Sequence, residues 1–352
     1  MSTSDSDFQM PPTLVNAAGE ERRVGVEIEL ANLPVREAAA IVQSTFGGQV
    51  VEQNPFVARV ENTELGDFRV ELDASLLKDE EYRDVLDTVG IDRGSRVEQL
   101  VVGAIESIAE IAVPCEIVTP PIPITQLSVI ERLREELYAA GAHGTNAASR
   151  YAFGLHFNPE LPSKDPAVLR DHLRAFIVLH DWIVERSEID TIRRITPYIR
   201  PFPRAYADAI FRPHVPTRRS LIREYIEYNP TRNRPLDMLP AFRHLDEALV
   251  DALLPRDALV GSRPTFHYRL PNSRVDEPTW RIWESWNRWV LVERLAASPT
   301  LLASLGHEYL ETTRILLGST AEHLQHVESV MKTLATEGGA RPSDAQSASR
   351  AS

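Results

Sequence analysis

The chain has a single cysteine, Cys115, among 352 residues. One thiol excludes an internal disulfide and a zinc site built from thiolates. Lysine is almost missing too, present only as Lys78, Lys164 and Lys332, so arginine carries the positive charge. The formal net charge is −13, which argues against a general nucleic-acid binder, because such proteins need a basic footprint. No apolar run approaches the ~20 residues of a membrane-spanning helix. The opening stretch, MSTSDSDFQMPPTLVNAAGEERR, has neither the basic start nor the apolar stretch of a signal peptide. Neither a P-loop nor a G-x-G-x-x-G turn occurs, which counts against a Walker-type ATPase. The expectation is a cytoplasmic protein with no nucleic-acid and no membrane partner.

What is present is apolar material for a large core: 43% of the residues are hydrophobic and 25% charged. Residues 23–30, RVGVEIEL, alternate and read as a strand. Pro34 opens a helix to about Phe46, stopped at Gly47-Gly48. Residues 49–60 and 67–72 are further strands, 95–112 is a helix, and 115–119 is a short strand ended by Pro120-Pro121. Residues 126–140 read as a helix, 151–157 as a strand, and Asp165-Pro166 starts a long helix to about Ser187. Residues 236–254 read as helical, with Asp237 as a cap, 264–270 as a last strand, and 299–335 as more helix. Residues 277–297 form a helix that holds four of the five tryptophans. The expected organisation is a loose, flexible leader over 1–20, one catalytic domain over 21–335, and a disordered tail over 336–352. Strands and helices do not alternate strictly. The fold class is therefore α+β, a twisted, largely antiparallel sheet with helices on one face.

Charge is unevenly placed. Between Thr191 and Leu236 stand ten arginines and three acidic residues. Guanidinium forks pair with phosphate and carboxylate, so this Arg/Pro-rich stretch suits an anionic small ligand. A solvated surface is the plain alternative.

Polar side chains recur at alternate strand positions. Glu27 and Glu29 share one face of their strand, while Val26, Ile28 and Leu30 take the other. Asp73 and Ser75 close the strand that begins at Asp67. Glu116 sits among apolar and β-branched neighbours. His156 and Asn158 share a face, as do His267 and Arg269. If these strands are neighbours, one sheet face is lined with carboxylates, imidazoles and guanidiniums. An oxygen-rich set with one imidazole suits Mg²⁺ or Mn²⁺ rather than zinc. Cys115 points away from Glu116, as a buried strand residue would.

Taken in chain order, these segments resemble the amidoligase family of the carboxylate–amine ligase superfamily, which includes glutamine synthetase and glutamate–cysteine ligase. Its G-x-E-x-E strand is matched by Gly25-Val-Glu-Ile-Glu29. Its W-x-x-x-x-D-x-S segment is matched at Asp73 and Ser75, with Phe68 for Trp. Its E-x-V-S-P strand appears as Glu116-Ile-Val-Thr-Pro, and its G-x-H-x-H as Gly154-Leu-His-Phe-Asn, with Asn158 for the second His. Leu236-Asp-Met-Leu-Pro is similar to a later motif. His267-Tyr-Arg269 stands where the family has E-x-R, so His267 replaces a metal-binding Glu.

The resemblance implies a glutamine synthetase-like catalytic domain that forms an amide from a carboxylate and an amine, using ATP through an acyl phosphate. Glu27, Glu29, Glu116, His156 and His267 would hold Mg²⁺ or Mn²⁺. Ser75, Arg234, Arg269 and Arg274 would contact the nucleotide, with Asp73 and Arg269 in catalytic roles. The partners would be small-molecule or peptide carboxylates and amines, and a homo-oligomer is compatible with this. Two other classes stay open: a non-catalytic relative that binds a peptide or acidic metabolite, and a divalent-metal phosphohydrolase.

Overall fold

The computed structural model describes residues 7–72, 114–145, 153–189, 199–254, 261–312 and 320–337. The helix expected over 95–112, Asp73 and Ser75 lie outside the described residues. Helices and one open, antiparallel-paired sheet make up the fold.

The sheet has nine strands: β1 (Arg23–Leu30), β2 (Gln49–Asn54), β3 (Val57–Thr63), β4 (Gly66–Leu72), β5 (Cys115–Val118), β6 (Ile122–Pro123), β7 (Leu155–Pro159), β8 (Leu236–Asp237) and β9 (His267–Tyr268). Their spatial order is β2-β3-β4-β5-β1-β7-β9-β8, with β6 also paired to β1. β1 thus lies at the centre, between β5 and β7. Alternation decides its two faces: Val24, Val26, Ile28 and Leu30 are fully buried against the core.

Helices cover the apolar face. The described helices are α1 (Val35–Phe46), α2 (Ile130–Ala139), α3 (Pro166–Arg186), α4 (Arg204–Ile210), α5 (Arg218–Tyr228), α6 (Leu239–Leu245), α7 (Glu247–Leu253), α8 (Ile282–Ala296), α9 (Pro299–Thr312) and α10 (Ala321–Glu337). Asp165 caps α3, accepting from the Ala167 N–H at 2.8 Å, with Pro166 at the first helical position. Phe157 of β7 packs on Trp286 of α8 at 5.6 Å between ring centroids, and Tyr268 of β9 on Trp289 at 5.4 Å. Both tryptophans are completely buried, and truncating either to alanine would cost about 3–5 kcal/mol. Among the described residues no helix is long and apolar enough to cross a membrane.

Four elements depart from the sequence reading. Residues 49–60 are not one strand. Asn54 accepts the Phe56 N–H through its side chain, Pro55 has no N–H to give, and the chain turns back as the β2–β3 hairpin. Residues 236–254 are not one helix either. Leu236 and Asp237 pair with β9, and Asp246 leaves helical geometry (φ −157°) to cap α7 by accepting from the Leu249 N–H. The strand expected over 264–270 shortens to two residues, bracketed by Pro264 and Pro271. Within the leader, residues 7–10 are pinned rather than loose. Phe8 is buried, Asn287 donates to the Asp7 carbonyl, and Trp286 donates to the Gln9 carbonyl. Gly47 (φ +74°) caps α1, and Gly48 follows it, as expected. The φ of Gly48 is +86°, and a side chain there would collide with the Glu61 carbonyl oxygen.

Candidate metal and nucleotide site

Register brings the polar alternate positions together. Glu71 of β4 lies opposite Glu116 of β5, and Glu116 opposite Glu29 of β1. One row along, Glu27 lies opposite His156. In the next row Gly25 lies opposite Asn158, and Phe157 opposite Tyr268, which sets Asn158 beside His267; Asp237 follows. Directly opposed residues of an antiparallel pair point to the same side. The face away from the helices is therefore a continuous polar patch drawn from six strands.

The centre of the patch is a hydrogen-bond chain. His156 Nδ1 is 2.9 Å from Glu27 Oε2, and its Nε2 is 3.5 Å from Glu29 Oε1. Glu27 Oε1 accepts from Asn158 Nδ2 at 2.8 Å and from the Arg263 guanidinium at 3.3 Å. Asn158 Oδ1 is 2.7 Å from His267 Nδ1, and the His156 and His267 rings meet edge-on at 5.3 Å. Gly154 donates its N–H to Glu29 Oε2 at 2.6 Å, so the group that approaches this glycine's backbone is a carboxylate of the same site. Glu27, Glu29, His156, Asn158 and His267 are each less than 9% exposed.

Burial alone would push the Glu27 carboxyl up. The His267 and His156 imidazoles and the Arg263 guanidinium outweigh it and hold Glu27 well below the usual carboxylate range. Burial drives His267 the other way, well below the ordinary imidazole range, against the attraction of Glu27. Glu27 is thus held as a carboxylate. Asp237 is also fully buried, and burial raises it to about 6 despite the Leu239 N–H and the charges of Arg269 and Arg232. Its Oδ1 accepts from Leu239, while its Oδ2 has no partner among the described residues.

Two trios among the described residues can hold a metal ion: Glu27, His156 and His267, and Glu29, Glu116 and His156. In each the ligand atoms lie within 4.8 Å of one another. The donors fit a cation: they converge, they are nearly all buried, and they are carboxylates and imidazoles. All five residues expected to hold metal are therefore together.

Arg234 and Arg274 lie elsewhere. Arg234 is buried, and its guanidinium donates to Asn229 Oδ1 and to the Pro201 and Tyr228 carbonyls. Arg274 is held by Glu188 at 3.0 Å. Arg269 shares the polar face, and its NH1 donates to the Arg232 carbonyl. Within the Arg-rich stretch, Arg218, Arg219 and Arg223 are exposed on α5. Cys115 is buried, and burial, with Glu116 and Glu71 nearby, pushes its thiol up to about 12, so it is no nucleophile at neutral pH.

Sequence reasoning missed three contributors. Arg263 comes from a loop with no periodic signal. Glu71, ion-paired with Arg69, was visible as an alternate position in Phe68-Arg-Val-Glu. Asp237 read only as a cap. Beside the trio opens a cavity of about 430 Å³, bounded by Arg23, Gly25, Val118, Asn158 and Arg263 among others.

The family described as "putative amidoligase enzyme" matches residues 20–291. No curated protein and no solved structure matches the chain.

Proposed function

Because the chain belongs to the amidoligase family, a family of ligase type, we propose that it joins a carboxylate to an amine with ATP and divalent metal. The proposal includes a glutamine synthetase-like arrangement of the sheet and a cytoplasmic setting. The observation that carries it is the convergence of Glu27, Glu29, Glu116, His156 and His267 on one buried sheet face.

These five side chains would hold the metal. When bound, it would offset charge on the phosphate oxygens of ATP. Buried carboxylates would otherwise repel a polyphosphate, so this face admits ATP only with its cations. Arg263 reaches Glu27 from the rim of the cavity and is more than half exposed. It is placed to receive the acid substrate and to neutralise its carboxylate as a phosphoryl group is accepted. The apolar wall formed by Val118, Pro121 and Pro264 would take the substrate's carbon frame. An amine then displaces phosphate, giving the amide.

The test is ADP release by the full chain with Mg²⁺ or Mn²⁺, ATP and panels of acids and amines. ADP formation that requires both an acid and an amine supports the ligase. Hydrolysis indifferent to any acceptor would instead support a phosphohydrolase. Absence of metal–nucleotide binding would leave a non-catalytic binding protein.

A further inference from the structure

We propose that Glu27, His156 and His267 form a site for a first-row transition dication, of the Mn²⁺ or Zn²⁺ kind, rather than for Mg²⁺, and that Asn158 is the positioning residue that presents His267 to it. The proposal rests on the reading that this face binds metal, and not on the reaction.

The donor set is one carboxylate and two imidazoles, mutually within 4.8 Å and all buried. Mg²⁺ prefers oxygen ligands and holds its waters. Imidazole nitrogen favours transition ions, and two imidazoles with one carboxylate make the donor set of open catalytic zinc sites. The neighbouring trio is different. Glu29 and Glu116 offer oxygen, and His156 belongs to both trios. With His156 given to the nitrogen-rich trio, Glu29 and Glu116 remain as an all-oxygen pair suited to Mg²⁺.

Asn158 supplies the second, independent observation. Glu27 Oε1 already accepts from the Arg263 guanidinium, which can only donate, so the Asn158 group 2.8 Å from that oxygen is the NH₂. The amide oxygen then faces His267 Nδ1 at 2.7 Å and can only accept, so Nδ1 carries the proton. The nitrogen His267 can offer a cation is therefore Nε2, which has no hydrogen-bond partner among the described residues. Metal-binding histidines characteristically donate their other N–H to such an outer acceptor, which fixes tautomer and ring orientation. The β1–β7–β9 register makes this relay possible, because it sets Gly25, Asn158 and His267 in one row.

The experiment is calorimetry on chelator-stripped full-length protein with MnCl₂, ZnCl₂ or MgCl₂ alone, without nucleotide. Mn²⁺ and Zn²⁺ should bind roughly tenfold or more tighter than Mg²⁺. His267→Ala should cost about 10–100-fold in Mn²⁺ affinity, and Asn158→Leu a similar factor. His267→Glu should swing the preference towards Mg²⁺. Nitrogen chemical shifts of the unmutated, metal-free protein should show His267 protonated at Nδ1, a readout that needs no variant to fold. Equal Mn²⁺ and Mg²⁺ affinities, or Mn²⁺ binding untouched by His267→Ala, would overturn the metal assignment. An Nε2–H tautomer would overturn the role of Asn158. Tight, His267-dependent Mn²⁺ binding without amide formation would sink the ligase and leave this site standing. Amide formation with Mg²⁺ alone, unchanged in His267→Ala, would do the reverse.

Discussion

Two buried ionic clusters flank the same strand. Arg22, at the edge of β1, meets Glu293 of α8 with both side chains at most 1% exposed. Five residues on, Glu27 meets His156, Asn158 and Arg263. The first cluster is complete. All five guanidinium protons of Arg22 have acceptors: two on Glu293, two on the Glu160 carbonyl, and one on the Thr13 carbonyl. Trp289 adds a further donor to Glu293. In the second cluster His267 Nε2 has no partner among the described residues. Desolvating charge is costly in both places. Where every group is matched, the cluster pins elements together. Where groups converge unmatched, the fold keeps room for something else.

The largest effect should come from the matched cluster. Glu293→Ala leaves the Arg22 guanidinium buried without its counter-charge, which should lower stability by about 3–5 kcal/mol. Urea denaturation checks this, and in the fraction that folds, metal affinity should be unchanged. Loss of metal binding at preserved stability would erase the distinction between the clusters.

Asp237 extends the contrast, because it is buried beside His267 with one oxygen unmatched among the described residues. Its carboxyl is raised from 3.8 to about 6. The folded state thus holds this proton more tightly than the unfolded chain does. Stability from this group falls as pH rises from about 4 to about 6, and the loss persists above that. Two units correspond to about 3 kcal/mol. Asp237→Asn keeps an oxygen for the Leu239 N–H, and should therefore raise the melting temperature of the metal-free protein at pH 7–8. The gain should shrink towards zero near pH 4. A gain independent of pH would show that burial of charge is not its cause.

A smaller effect, about 10–100-fold in affinity, is expected for Glu27→Gln. The amide cannot match a cation's charge, so Mn²⁺ binding by calorimetry should weaken accordingly. Undiminished binding would remove Glu27 from the site.

Much of this contrast was legible in the sequence, for a reason particular to strands. A period of two separates faces, so Glu27 and Glu29 opposite Val26 and Ile28 declare one polar and one apolar side. The same rule found Glu116, His156 and His267. It could not show that β1 lies between strands some 90 and 130 residues further along the chain. Nor could it reveal the role of Asn158, which depends on cross-strand register to His267 rather than on its own neighbours. Arg263 approaches from a loop, where no period operates. Helix boundaries were obscured when short polar residues, such as Asp246, ended one helix and capped the next.

The smallest effect belongs to a third cluster that imitates the second in composition. Glu308 of α9 accepts from His323 Nδ1 at 2.9 Å and lies 2.6 Å from His326 Nδ1, both on α10. It too is one carboxylate between two imidazoles. The geometry differs, because both imidazoles turn the same nitrogen to the carboxylate, which separates them instead of sharing an ion with them. Burial opposes ionisation of Glu308, but the two histidines prevail and hold it below its ordinary value. Its stabilisation is therefore present above about pH 4.5 and lost as pH falls through its lowered value. Solvent screening at a carboxylate 30% exposed limits the contribution to under about 1 kcal/mol. Glu308→Gln should lower the melting temperature slightly at pH 7, hardly at all near pH 3, and leave Mn²⁺ affinity untouched. A drop in Mn²⁺ affinity would mean that composition, rather than convergence of unmatched donors, is what makes a metal site in this protein.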